Sequence, residues 1–178
     1  SSGYAVFDVQ ASDAAPAVKG KPVPALLTVT ESSLENARYR IKLDPSGDVA
    51  SLFDKVLKKE LLAEPIRLAI KTDKPVDWPA WNMDWSDQQK EPRAFVSGPA
   101  KIRIVESGPA RVAVEVARES EGSTFVQTVR LAAGDGGNRV EFSNAIDWKT
   151  AEANLKATFP LTASNPMATY NWDVGTIE

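Results

Sequence analysis

Apolar and polar residues alternate along much of the chain with a period of two. Tyr39, Ile41 and Leu43 stand on one side of a run whose other side is Arg38, Arg40 and Lys42, the pattern of a strand with one buried face. Asp44-Pro45-Ser46-Gly47-Asp48 follows, with proline presetting φ and glycine open to positive φ, and a second run, residues 49–53, completes a β-hairpin. The alternation returns at Ile66, Leu68 and Ile70, at Ile102 and Ile104, and at Val112, Val114 and Val116. It continues at Phe125, Val129 and Leu131, at Val140, Phe142, Ile146 and Trp148, and at Leu155, Ala157, Phe159 and Leu161. Tyr4 and Val6 fit one more strand within residues 1–9.

Turn residues separate these runs: Ser107-Gly108-Pro109, Glu121-Gly122-Ser123 and Gly134-Asp135-Gly136-Gly137-Asn138. Short strands at regular spacing with such punctuation predict an all-β, antiparallel sandwich with little helix. Only residues 55–63 and 150–154 have helical composition, and both are short. Between residues 10 and 25 the composition shifts to Ala, Pro, Ser and Lys, which reads as an extended linker. The expected organisation is therefore residues 1–9 as the end of a preceding small β-domain or a tag remnant, a linker over 10–28, and a sandwich over 29–178, truncated at its C-terminal end.

Composition removes whole classes of chemistry. The chain has no Cys and no His, so thiol catalysis, Ser-His-Asp hydrolysis, histidine general bases and disulfides have no residues to work with, nor do the Cys/His sites that zinc prefers. Lack of cysteine leans toward a reducing compartment such as the cytoplasm without deciding it. With 21 basic and 24 acidic residues the net charge is -3, which offers no footprint for nucleic acid. No apolar stretch approaches the roughly 20 residues of a membrane span.

Residues 73–92 break the alternation. Within them Trp78, Trp81, Asp84, Trp85 and Asp87 concentrate three of the five tryptophans beside two acids. A loop of such length in a compact domain is uncommon and often functional. Indole faces suit the C–H face of a pyranose, and a neighbouring acid accepts its hydroxyl hydrogen bonds. The plainer alternative is that these tryptophans cap a sheet end or plug an interdomain contact. Asp84 and Asp87 have the composition of a carboxylate dyad, but spacing alone does not set them across a glycosidic bond. Asp44 to Asp48 lacks the calcium-loop pattern and Gly134 to Gly137 the phosphate-loop pattern, so both read as turns. Trp148, at a strand end, reads as core.

The run Leu34-Glu35-Asn36, Tyr39, Asp44, Gly47, Ser51-Leu52, Asp54-Lys55 and Glu60-Leu61-Leu62 resembles the opening of the β-sandwich in α-mannosidases of glycoside hydrolase family 38. The downstream anchors Asn138-Arg139-Val140-Glu141-Phe142, Ile146-Asp147-Trp148, residues 155–161 and residues 173–178 resemble the same family in the same order. The resemblance implies part of a sandwich similar to the galactose-mutarotase superfamily. It also implies a parent enzyme that removes terminal α-linked mannose from oligosaccharides with an aspartate nucleophile and a divalent metal, usually zinc, on a separate barrel. This chain would then hold no cofactor and be inactive alone. Its partners would be that barrel, the remaining sandwich of the same polypeptide and a mannose-containing oligosaccharide, with Trp78, Trp81, Asp84 and Trp85 as substrate-binding candidates. A freestanding carbohydrate-binding module using Trp78, Trp81 and Trp85 is the alternative.

Overall fold

Period-two alternation becomes strand pairing wherever turn chemistry lets the chain reverse. The computed structural model describes Tyr4, Val6, Asp8 and residues 27–165, 167–172 and 175–177; Tyr4 and Val6, expected in a strand, are exposed and outside any strand, while most of the expected linker lies outside the described residues. The first sheet is a meander of β1 (Thr28–Thr30), β2 (Ser33–Glu35), β3 (Tyr39–Leu43), β4 (Val49–Asp54) and β5 (Lys59–Glu60). In β3 the alternation is complete: Tyr39, Ile41 and Leu43 are buried while Arg40 and Lys42 are exposed. The turn to β4 is made as its sequence predicts. Asp44 Oδ1 accepts from the Ser46 and Asp48 amides at 2.9 and 3.0 Å, and Gly47 sits at φ 79°. A side chain at Gly47 is also excluded by packing, because its Cβ would fall 2.3 Å from Val116 Cγ1.

Next come β6 (Arg67–Thr72), a one-turn helix α1 (Trp85–Gln88) and β7 (Ala94–Phe95), then β8 (Lys101–Ser107), β9 (Arg111–Ser120), β10 (Ser123–Ala132), β11 (Glu141–Asp147) and β12 (Ala153–Thr158). A last hairpin pairs β13 (Tyr170–Trp172) with β14 (Gly175–Ile177). The second layer is the sheet β11-β10-β9-β8. Its register sets Val112 opposite Leu131, Val114 opposite Val129, Val116 opposite Gln127 and Arg118 opposite Phe125, so all eight share one face. That face meets Leu34, Tyr39, Ile41, Leu43 and Val49 of the first sheet in one core. The third sheet, β12-β6-β7, continues the first layer through a bridge between Val49 and Ile66, and packs Leu68, Ile70 and Val96 around Phe125. The described residues thus form the two-layer, nearly all-antiparallel β architecture expected from sequence.

The two stretches of helical composition are not helical. Asp54 Oδ1 accepts from the Val56 and Leu57 amides at 2.8 and 2.9 Å and folds residues 55–58 into a turn, after which Lys59 and Glu60 pair with β4. Around Thr150, the amides of Lys149 and Thr150 donate to the buried Ser123 hydroxyl at 2.8 and 3.0 Å, which holds the chain in a bend before β12. In both places the residues that follow are drawn into strand pairing, as β5 and β12, before a costly helical nucleus can propagate. The glycine-rich stretch is the connection between β10 and β11, as expected, tightened into a 3-10 turn over Gly134–Asn138.

These bonds carry a pH dependence. The Leu57 amide, helped by Arg38 and the Val56 amide against burial, holds Asp54 below its ordinary value of 3.8. Burial pushes Glu60 up, but the Ser51 hydroxyl and the Leu52, Leu62 and Leu61 amides outweigh it and hold it below 4.5. A carboxylate lowered on folding contributes stability that is present above its unfolded value and lost as pH falls through the folded one. Melting temperature should therefore fall as pH drops below about 4.5, and Glu60→Gln should flatten that slope in thermal melts. An unchanged slope in the variant would show that Glu60 is not a source. Asp48 has the opposite sign, because burial raises it against the pull of Arg118, so its contribution diminishes as pH rises through its folded value.

Candidate functional site

Between the end of β6 and the start of β7 the chain leaves the sheet for residues 73–93, the segment where alternation fails. Both ends of this loop are tied to one point. The Asp73 amide donates to the Glu152 carbonyl at 3.0 Å, and Lys74 Nζ pairs with the Glu152 carboxylate at 3.0 Å. From the other end, Arg93 donates to the carbonyls of Glu152 and Ala151, both at 3.1 Å, and forks onto the Glu121 carboxylate. Glu152 and Glu121 both adopt positive φ, 50° and 47°, at the tight connections that carry these groups. Lys71 Nζ adds a bond to the Gln88 carbonyl at 2.7 Å.

Inside the loop the two acids organise backbone. Asp87 is 6% exposed; its Oδ2 accepts from the Lys74 amide at 3.0 Å and its Oδ1 from Lys90 Nζ at 2.7 Å. The Lys90 ammonium, with the Lys74 amide, holds the Asp87 carboxyl below its ordinary value. Asp84 Oδ2 accepts from the Val76 amide at 3.0 Å, and Oδ1 from Asn82 Nδ2 at 2.9 Å. Asn82 Nδ2 also reaches the Asp77 carbonyl at 3.2 Å. The Asp84 carbonyl accepts from the Asp87 and Gln88 amides, which starts α1. The carboxylates of the candidate dyad are thus engaged with different parts of the loop.

This framework displays the tryptophans. Trp78, Trp81 and Trp85 are 66%, 78% and 75% exposed, beside exposed Val76 and Met83. Trp78 and Trp81 stack with ring centroids 5.9 Å apart and planes 12° from parallel. The reversal that brings them together puts Trp78 at φ 57°, a region costly for a bulky residue, and the Trp81 and Asn82 amides donate to its carbonyl at 3.1 and 2.9 Å. Trp148, expected as core, meets Phe125 edge-on at 6.3 Å and remains 38% exposed.

The tryptophans and both acids stand out in the sequence, whereas the loop's anchors Arg93, Glu121 and Glu152 do not. No local signal marks these three, since Arg93 finds its partners 28 to 59 residues further along the chain. Among the described residues no group of three acidic side chains is placed to hold a metal ion, and the sequence has no His or Cys to add to one. The metal implied by the family resemblance does not fit any residues seen here. No helix among the described residues is long and apolar enough to cross a membrane.

Residues 34–178 match the family model "Glycosyl hydrolases family 38 C-terminal domain". The chain is 31% identical over 151 residues to alpha-mannosidase 2C1 of Mus musculus and of Homo sapiens, and 26% identical over 154 residues to alpha-mannosidase G of Dictyostelium discoideum. Each match covers 82% of this chain and 14% of the relative. With one family model matching residues 34–178 of an antiparallel sandwich, the chain belongs to glycosyl hydrolase family 38, in its C-terminal domain.

Proposed function

We propose that these residues form a non-catalytic β-sandwich portion of an α-mannosidase that hydrolyses terminal α-linked mannose from oligosaccharides, supporting a catalytic barrel on the same polypeptide and lining its substrate cleft with residues 78–85. In this reading the aspartate nucleophile and the divalent metal, zinc, reside on the barrel. The loop acts by binding: an indole face stacked on a sugar ring holds bound substrate and transition state alike, without making or breaking a bond.

The observation that carries the reading is the display of Trp78, Trp81 and Trp85 at two-thirds exposure or more on a loop clamped at both ends. Large rings left in water cost burial energy that a bound partner recovers. The experiment is Trp81→Ala in the full-length enzyme, assayed on an aryl α-mannoside. Loss of one stacking contact worth about 0.5–1.5 kcal/mol should raise KM about two- to twelvefold with kcat retained. A variant that melts earlier at unchanged KM would make the loop an interdomain plug instead. Titration calorimetry of the 178-residue chain with mannose oligosaccharides separates the binding-module alternative, which requires binding heat from this chain alone.

A further inference from the structure

Asp84 stands where a sugar-binding acid was expected, and each of its carboxylate oxygens already accepts a hydrogen bond from within the loop. One oxygen accepts from the Val76 amide, two residues before Trp78, and the other from Asn82 Nδ2, one residue after Trp81. The Asn82 amide reaches the Trp78 carbonyl, and its side chain spans on to the Asp77 carbonyl. Asp84 therefore closes a ring of hydrogen bonds around the reversal that carries the stacked indoles, and a carboxylate is the side chain able to receive both donors at once. A strained φ at Trp78 persists only where its surroundings over-determine it.

We propose that Asp84 is a positioning residue, a buckle that holds Trp78 and Trp81 as a preformed, stacked platform, so that the loop presents its rings already ordered and does not fold around a ligand. The substrate meaning of the platform rests on the function proposed above, while the buckle itself rests on the loop's own geometry. A preformed platform binds without the entropic cost of immobilising two large side chains. Replacing the carboxylate should release the rings without touching the sandwich, because Asp84 bonds only within residues 76–88.

The test is proton NMR of the 178-residue chain, reading cross-peaks between the two indole rings together with the amide spectrum of the strands. The unmodified chain should give Trp78–Trp81 ring cross-peaks. Asp84→Ala should lose them with strand amides unmoved, and Asp84→Asn should lose them in part, since an amide accepts only one of the two bonds. Asp77→Ala should keep them, because only the Asp77 backbone carbonyl takes part. Asn82→Ala removes the opposite half of the buckle and decides the matter if the Asp84 variants do not fold. Ring cross-peaks that persist in both Asp84→Ala and Asn82→Ala, or that are absent from the unmodified chain, overturn the proposal. The KM of Trp81→Ala reports separately on the substrate reading and leaves the buckle standing or falling on the ring contacts.

Discussion

Asp48→Ala should destabilise the sandwich by about 3–5 kcal/mol, because it leaves a buried guanidinium without its counter-charge. Arg118 projects from β9 into the core face beside Phe125, with its side chain 1% exposed, and Nη1 pairs with Asp48 Oδ1, itself 4% exposed. The same Nη1 donates to the Ser46 carbonyl at 3.2 Å, and Arg67 approaches the other Asp48 oxygen at 3.5 Å. The pair joins the β3–β4 turn to the opposite sheet across 70 residues of sequence. For a domain of this size the loss corresponds to about 6–20 °C in melting temperature. Urea unfolding of Asp48→Ala, Arg118→Met and the double variant tests the claim. The double variant should lose less than the sum of the two singles, since an uncharged pair of similar volume carries no unpaired ion. Additive losses below about 1 kcal/mol each would show that the pair is solvated and not structural.

Asn36→Ala should cost about 3 kcal/mol, and Asn36→Asp at least as much. The Asn36 side chain is 2% exposed and makes four hydrogen bonds, the full complement of its amide. Nδ2 donates to the carbonyls of Ala132 and Gly137 at 3.0 and 2.9 Å, while Oδ1 accepts from the amides of Arg38 and Tyr39 at 2.9 and 2.6 Å. One side chain thus fixes the β2–β3 turn and staples it to the 3-10 turn after β10. Removing it strands four backbone groups, each worth about 1–3 kcal/mol where water does not reach, and partial hydration lowers the total. Aspartate keeps the two acceptor bonds but sets an oxygen against two carbonyl oxygens, so it tests whether the donors matter. Gly137→Ala should injure the same staple, because its Cβ would lie 2.3 Å from the Ala132 carbonyl oxygen and 2.7 Å from Asn36 Nδ2. Equal stability of Asn36→Asp and the unmodified chain in urea melts would contradict this account.

These two sites explain what the family-like residues do. Leu34 is fully buried, Glu35 pairs with Arg40 and Lys55, and Asn36 is the staple. Tyr39 fills the core and donates its hydroxyl to the Asn138 carbonyl at 3.3 Å, Gly47 makes the turn, Asp54 folds the β4–β5 connection, and the Glu60 carboxylate gathers Ser51 and the Leu52 and Leu62 amides. The described motif positions hold backbone and core in place, which is why they carry the resemblance without exposing a reacting group. The tryptophan loop was legible as an interruption of the alternation. Its anchorage was not, since Arg93, Glu121 and Glu152 are ordinary surface residues in sequence. The two short stretches of helical composition form no helix for a related reason, because other strands pair with Lys59–Glu60 and Ala153–Thr158, which composition alone does not disclose.

The order of amino acids sufficed for most strands, for the turns between them and for the inward faces of β3, β9 and β10, whereas Ile104, Ile146, Ala157, Phe159 and Leu161, which alternate in the same way, stay exposed. Side-chain direction alternates residue by residue along any extended chain, and proline, glycine and aspartate limit the local backbone wherever they stand. Which polar groups meet follows from the packing of distant segments. Asp48 finds Arg118, Asn36 finds Gly137 and Arg93 finds Glu152 because two sheets close on each other in one register, and no local property of either partner encodes that distance.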